Sequence, residues 1–342
     1  MTGNSSRAST SFVVVGDVMV DQLAPLAGPL TPGRDNPTHV RRELGGQAAN
    51  SAAWLATIRA TDDHVHLVGA VGDDHYGRWV STSLAACGVS ADLARTSEPT
   101  GQCFITITPD GDRTMFPDPG ANTSLDARFL SKVIENIRRT DDSGSRLHLH
   151  LSGYLTARLP EVADVALSVL DSDGCISIDT PSLELDPHQR HRLFDLLVRC
   201  DLLFANAEEI AALAGAPHSS DGVIPAASVL EQHVANFRDL SSFAGVVVVK
   251  AGAHGSYASA PGIWSHAHAE RTNVIDTTGA GDAFAAGFLA TWRPASGGEL
   301  ATDESLSVAL ASGSSVAARA VSRIGAGPTA GSVVQQYSEK GR

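Results

Sequence analysis

Val274-Ile275-Asp276-Thr277-Thr278-Gly279-Ala280-Gly281-Asp282-Ala283-Phe284-Ala285-Ala286-Gly287-Phe288 is the stretch whose reading decides the fold. It reads as the end of a strand, a Gly-Ala-Gly turn and a helix of small and apolar residues. Gly279 and Gly281 put no Cβ between the main chain and a ligand and can adopt angles closed to other residues. A turn of that kind at a helix start presents unpaired N–H groups where the helix dipole also favours negative charge. Asp282 then conflicts with an anion beside it. The conflict resolves if its carboxylate is a base that takes a proton from an attacking hydroxyl while the N–H groups hold phosphoryl charge. The competing reading makes Asp282 a helix-start residue and nothing more.

The chain's totals narrow the classes. At 342 residues it can bury a large α/β core, and 43% apolar with 18% charged residues describes a folded chain rather than a disordered one. A formal net charge of -13 argues against non-specific binding to nucleic acid or anionic membrane, both of which need clustered Lys and Arg. Cys87, Cys103, Cys175 and Cys200 form no C-x-x-C pair, so reduced thiols are expected rather than a disulfide framework or a zinc site. The apolar run Phe12 to Val15 is too short for a signal-peptide core or a membrane span, and a cytoplasmic location is expected.

Phe12 to Val15, followed by Gly16-Asp17, reads as a buried first strand. The segment from Gln22 to Glu43 holds four prolines and two glycines and is not expected to be helical, although Thr38 to Leu44 could be a strand. Gly45-Gly46-Gln47-Ala48-Ala49-Asn50 opens an Ala-rich helix, a second place where backbone can approach a ligand closely. His64 to Ala70 is a strand pattern, followed by a helix to about Ala86. β-formers on both sides of Pro109-Asp110-Gly111-Asp112 predict a hairpin from Gly101 to Phe116. Leu147 to Leu151, Cys175 to Asp179, Leu202 to Ala205 and Gly245 to Lys250 then alternate with helix-length stretches, which implies a parallel sheet covered on both faces. Glu304 to Val321 reads as a long helix of small residues. Ligands of such sheets sit at the carboxyl ends of the strands, where Asp17, Ser152, Asp179, Asn206 and Ala251-Gly252 fall.

Asp276 to Phe284 resembles the C-terminal signature of the ribokinase-like (PfkB) carbohydrate kinases, and Gly45-Gly46-x-x-x-Asn50 resembles the N-terminal glycine motif of the same family. The resemblance runs from Val13 to about Thr329. It implies a three-layer α/β/α fold with a mostly parallel central sheet. It also implies a single kinase domain over 1–342, with a small β-sheet lid formed by segments 22–44 and 99–119. Asp282 is then the catalytic base and Gly279, Ala280 and Gly281 the anion hole, while Asp21, Gly45, Gly46 and Asn50 match substrate-binding positions. For ATP the matching residues are Asn206, Lys250, Gly252, Gly255 and Ser314, together with the glycine turn. Glu209 of Asn206-Ala207-Glu208-Glu209 would meet Mg²⁺ through water; read without the family, Asn206 caps a helix and the glutamates suit its dipole. Asp276, Thr278, Ala320, Gly325 and Thr329 align with positions that bind K⁺ in cation-activated relatives.

These readings converge on an ATP-dependent kinase acting on a hydroxymethyl group of a small sugar, with Mg²⁺ and an expected homodimer joined through the lid. Met19, and Ser152 or Gly153, stand where ribokinases carry polar sugar contacts, which argues against ribose itself as the substrate of this ribokinase/fructokinase-like chain. A nucleoside kinase or a keto-deoxy sugar acid kinase is the alternative within the family, and a non-catalytic sugar-binding regulator the alternative outside it. No G-x-x-x-x-G-K-[ST] loop is present, and no G-x-G-x-x-G follows the first strand, which argues against Walker-type and nicotinamide sites. Arg113, on the hairpin, can meet an anion or face solvent. The pairs His64/His66, His148/His150 and His266/His268 are expected to be ordinary strand histidines.

Overall fold

The structure, a computed structural model, describes residues 9–109, 113–141, 145–170, 174–182, 185–217, 224–293 and 301–328. In chain order its strands are β1 (Thr10–Val15), β2 (Met19–Pro25), β3 (Arg41–Gly45), β4 (His64–Gly72), β5 (Ser90–Thr96), β6 (Gly101–Ile107), β7 (Arg113–Asp118), β8 (Arg146–Ser152), β9 (Cys175–Asp179), β10 (Leu202–Asn206), β11 (Val246–Lys250), β12 (Ser256–Ala260) and β13 (Ile263–Ala267). Nine of them form one sheet in the order β13-β12-β11-β10-β9-β8-β1-β4-β5, parallel from β11 to β5 and antiparallel at β12 and β13. The other four form a small sheet in the order β3-β2-β6-β7.

The near-continuous apolar strands follow from burial on both faces. In β1, Phe12 and Val14 pack into one core and Val13 and Val15 into the other, as the two-residue period of a strand requires. The first core is shared with the helices Gln47–Ile58, Ala280–Thr291 and Asp303–Val321; the second with Ala127–Thr140, Pro160–Ser168, Pro187–Leu197 and Ala227–Ser241. Small residues bring Ala280–Thr291 and Asp303–Val321 into backbone contact. A methyl group on Gly287 would stand 2.7 Å from the Ser312 carbonyl oxygen, so that helix has no room for a side chain there. The small sheet has its own apolar cluster of Met19, Leu23, Cys103 and Ile105.

The expected architecture is present, with local differences. Val274 and Ile275 form no strand: both are exposed, and the N–H groups of Ile275 and Asp276 donate to the Val321 carbonyl instead of to a ladder. β-branched residues here mark an extended link rather than a sheet element. The third strand begins at Arg41, not Thr38, and Met19–Pro25 is a strand although Asp21 and Gln22 interrupt its apolar pattern. The hairpin Gly101–Ile107/Arg113–Asp118 forms, its turn residues 110–112 lying outside the described residues. Among the described residues no helix is long and apolar enough to cross a membrane.

Candidate active site

Two helix starts meet at the carboxyl end of β1. Asp17 leaves that strand and its carboxylate accepts from the Gln47 N–H (2.8 Å) at the start of helix Gln47–Ile58 and from the Ser152 hydroxyl (2.5 Å) at the end of β8. The double glycine lets these elements touch. A Cβ on Gly46, whose φ is +94°, would lie 2.5 Å from the Asp17 carbonyl oxygen, and one on Gly45 would lie 2.0 Å from an Asp21 carboxylate oxygen. Burial, with the negative charges of Asp17, Glu43 and Asp276 nearby, pushes the Asp21 carboxyl up to about 7. Glu43 is likewise raised to about 7, mainly by burial.

One helical turn on, the Asn50 amide donates 2.9 Å to an Asp282 carboxylate oxygen, closing a contact across 232 residues. Asn50 is buried, and its own carbonyl oxygen has no hydrogen-bond partner among the described residues. A buried amide acceptor without a donor is costly unless a ligand hydroxyl supplies one. Asp282 is half-buried in the first turn of helix Ala280–Thr291. Burial holds its carboxyl well above the ordinary range. The charges of Asp179 and Asp17 push the same way, while the Asn50 hydrogen bond and Lys250 oppose them. Gly279, at φ +70°, makes the bend, and a Cβ on it would stand 2.6 Å from the Ala326 methyl.

Beside that bend lies an ion pair. Lys250, last residue of β11, places its ammonium 2.7 and 2.9 Å from the two carboxylate oxygens of Asp179, last residue of β9. A methyl on Gly281 would come within 3.2 Å of the same ammonium, so the glycine turn and Lys250 share one wall of the cleft. Burial raises Asp179 to about 6 in spite of Lys250. Lys250 is itself held above its ordinary value, because Asp179, Glu209 and Asp282 outweigh its desolvation. The geometry is that of a charged pair, with both Asp179 oxygens held by one ammonium.

Next to it, Asn206 and Glu209 form a reciprocal cap at the start of helix Ala207–Leu213. The Glu209 carboxylate accepts from the Asn206 N–H (2.8 Å), the Asn206 amide (2.8 Å), the Ser182 hydroxyl (2.7 Å) and the Thr180 hydroxyl. Four donors fill a carboxylate's acceptor sites. The two hydroxyls can rotate, so this set can turn toward the water shell of a hydrated divalent ion without moving the backbone. Of the remaining expected nucleotide residues, Gly252 has φ +53° with open space where a Cβ would be. Gly255 is required by contact with the Ala267 carbonyl oxygen, 2.1 Å from its ideal Cβ position. Ser314 is buried in helix Asp303–Val321.

The loop expected to hold K⁺ is crowded with donors. Asp276 accepts from the Thr278 N–H (2.8 Å) and hydroxyl (2.6 Å) on one oxygen and from the Gly325 N–H (2.9 Å) on the other. The Ala320 carbonyl takes the N–H groups of Ser322 and Arg323, and the Ala326 carbonyl takes the Trp54 indole N–H at 2.7 Å. From β7 of the small sheet, Arg113 donates 2.9 Å to the Thr278 hydroxyl and lies 3.7 Å from the Asp276 carboxylate. Thr329 lies outside the described residues.

With this geometry in view, residues 9–331 match the pfkB family of carbohydrate kinases. The chain belongs to that family. It is similar, at 29% identity over 308 residues and 88% of each chain, to the ATP-dependent ribose-1-phosphate kinase of Halopiger xanaduensis. Its fold is that of the ribokinase from Giardia lamblia (TM-score 0.77, 19% identity, 93% of this chain and 96% of the other). It also matches a fructokinase double mutant from Vibrio cholerae O395 solved with fructose, ADP and potassium ion (TM-score 0.70, 20% identity, 94% and 95%). The pfkB carbohydrate kinase is therefore a phosphotransferase with a ribokinase-like α/β fold.

The sequence motifs of this kinase pointed to Asp282, Asn50 and the two glycine turns, which the fold brings together. They gave no role to Thr180 or Ser182, and they marked Asp179 and Ser152 only as residues at the ligand end of the sheet. The available signal was their position, since each follows or ends a strand of the parallel sheet. The histidine pair of β8 is internal: His148 and His150 both bond the Ser177 hydroxyl, at 2.9 and 2.8 Å, and burial holds His150 down to about 3.

Proposed function

We propose that this carbohydrate kinase transfers the γ-phosphate of ATP to a hydroxymethyl group of a small sugar, with Asp282 as the base. The observation that carries the reading is the Asn50–Asp282 bond. It ties the sugar-side glycine helix to the acid of the phosphate-side turn, and Asn50 keeps a free carbonyl oxygen for a sugar hydroxyl. In this reading Asp282 removes the hydroxyl proton as the phosphoryl group arrives. The N–H groups of the Gly279-Ala280-Gly281 bend and the Lys250 ammonium offset the charge on the phosphate oxygens. Asp179 keeps Lys250 charged and aimed. Glu209 would hold Mg²⁺ through its water shell, and the bound ion would supply positive charge to the phosphates. Asp21, Gly45 and Gly46 would line the sugar, and Asn206, Gly252, Gly255 and Ser314 the nucleotide.

The small sheet, spanning the expected lid segments 22–44 and 99–119, would exclude water and so prevent loss of phosphate by hydrolysis. Its outer face leaves Phe104 56% and Phe116 57% exposed, directly opposite one another in the ladder. A second copy of the chain is proposed to cover this face. Light scattering at micromolar concentration should then give a dimer that Phe104→Glu dissociates, and a monomeric wild type would remove the idea.

Ribose, ribose 1-phosphate, fructose, nucleosides and keto-deoxy sugar acids, each tested with ATP and Mg²⁺ for ADP release and for a thermal shift, test the function. One class should both raise the melting temperature and drive ADP release. Sugar binding without turnover by any of them would make the protein a regulator on a kinase fold.

A further inference from the structure

The Asp276 loop does not fit a K⁺ ion as it stands. A monovalent cation needs several oxygens with free lone pairs and a local surplus of negative charge. Here the Asp276 carboxylate already has three neutral donors, and a guanidinium stands 3.7 Å away and offsets its charge. Arg113 reaches this place from another sheet, across 165 residues, and also donates to Thr278. Asp276 is one of several acidic groups that act on one another at this end of the cleft. A Cβ on Gly325 would lie 3.0 Å from the Glu43 side chain, and Asp276 and Glu43 both act on the Asp21 carboxyl.

We infer that Arg113 is a built-in cation: its guanidinium does at the Asp276–Thr278 turn what a bound K⁺ would do, so the enzyme does not require a monovalent cation. A fixed charge there sets the conformation of the segment that leads into Gly279 and Asp282. Because the charge is carried by β7, it also couples the small sheet to the phosphate-binding bend. A free ion cannot do this. Arg suits the task because its charge is permanent, and one guanidinium nitrogen both donates to the Thr278 hydroxyl and stands near the Asp276 carboxylate. The inference about turnover rests on the proposed kinase activity; the inference about the cation does not.

The experiment compares wild type, Arg113→Ala and Arg113→Lys in KCl and in choline chloride at equal ionic strength, by thermal melting and by ADP release with the sugar found above. Wild type and Arg113→Lys should melt at the same temperature, and turn over at the same rate, in both salts. Arg113→Ala should melt lower in choline chloride and recover in KCl. A wild type that K⁺ stabilises or activates several-fold overturns the inference, whether or not the alanine variant folds. So does an alanine variant indifferent to K⁺, including one that loses only its affinity for anionic sugars, which would make Arg113 a substrate contact. Melting curves that follow the expectation in a protein that turns over no sugar would instead overturn the kinase proposal and leave the cation assignment standing.

Discussion

Asp282→Asn is expected to lower kcat by about two to four orders of magnitude, the range for loss of a general base, while nucleotide binding and melting temperature hold. The substitution keeps shape, and the new amide oxygen can still accept from Asn50, so the cleft should remain assembled. What disappears is the lone pair that takes the proton. Fold stability should not fall, because a carboxyl held well above its ordinary value gains nothing from being charged in that place. The same direction of shift predicts the pH profile. A raised carboxyl is protonated further into the neutral range and then cannot accept a proton, so kcat/KM of the wild type should climb as pH rises through this titration. Approaching phosphates push it higher, and Lys250 pulls it back. Asp282→Asn should abolish that limb. Stopped-flow or coupled ADP assays at several pH values read both effects, and near-normal turnover by the Asn variant would remove Asp282 from the chemistry.

The second large effect concerns Asp179 and Lys250. The Asp179 side chain is 0% exposed and that of Lys250 15%, so removal of one partner strands the other in the wall of the cleft. Asp179→Ala should cost about 3–5 kcal/mol of stability, the range for breaking a buried pair. Asp179→Leu combined with Lys250→Met should return stability to the wild-type level or above, since apolar replacement of a whole buried pair is neutral or favourable by about 1–4 kcal/mol. Turnover should not return. The ammonium beside Gly281 would be absent, and loss of one fixed group facing transition-state charge costs about two to three orders of magnitude. Denaturant melts and kcat on wild type and these two variants separate the two roles. A stable double variant with full turnover would make the pair a structural element only.

What the sequence disclosed was local. The run Asp276 to Phe284 and the double glycine at Gly45-Gly46 stand out because a close backbone approach admits few residue types, and the alternation of apolar strands with helices gave the layered sheet. Contacts closed by the fold were less legible. Lys250 and Asp179 are 71 residues apart and Arg113 and Thr278 are 165 apart, and no periodicity relates them. Three strands also passed unseen for physical reasons. Met19–Pro25 carries in its middle Asp21, which faces the double glycine, and Gln22, which points to the other side and donates to the Tyr76 hydroxyl. Ser90–Thr96 is an edge strand with half-exposed residues, and Ser256–Ala260 is built of small residues without a β-forming pattern.

A crystal structure with a non-hydrolysable ATP analogue, Mg²⁺ and the sugar selected by the ADP-release panel would show directly whether one cleft holds all the parts. The sugar's hydroxymethyl oxygen should lie within hydrogen-bond distance of the Asp282 carboxylate, with the γ-phosphate facing the Gly279–Gly281 amides and the Lys250 ammonium. A sugar bound with that hydroxyl away from Asp282, or a γ-phosphate held by other groups, would contradict the account.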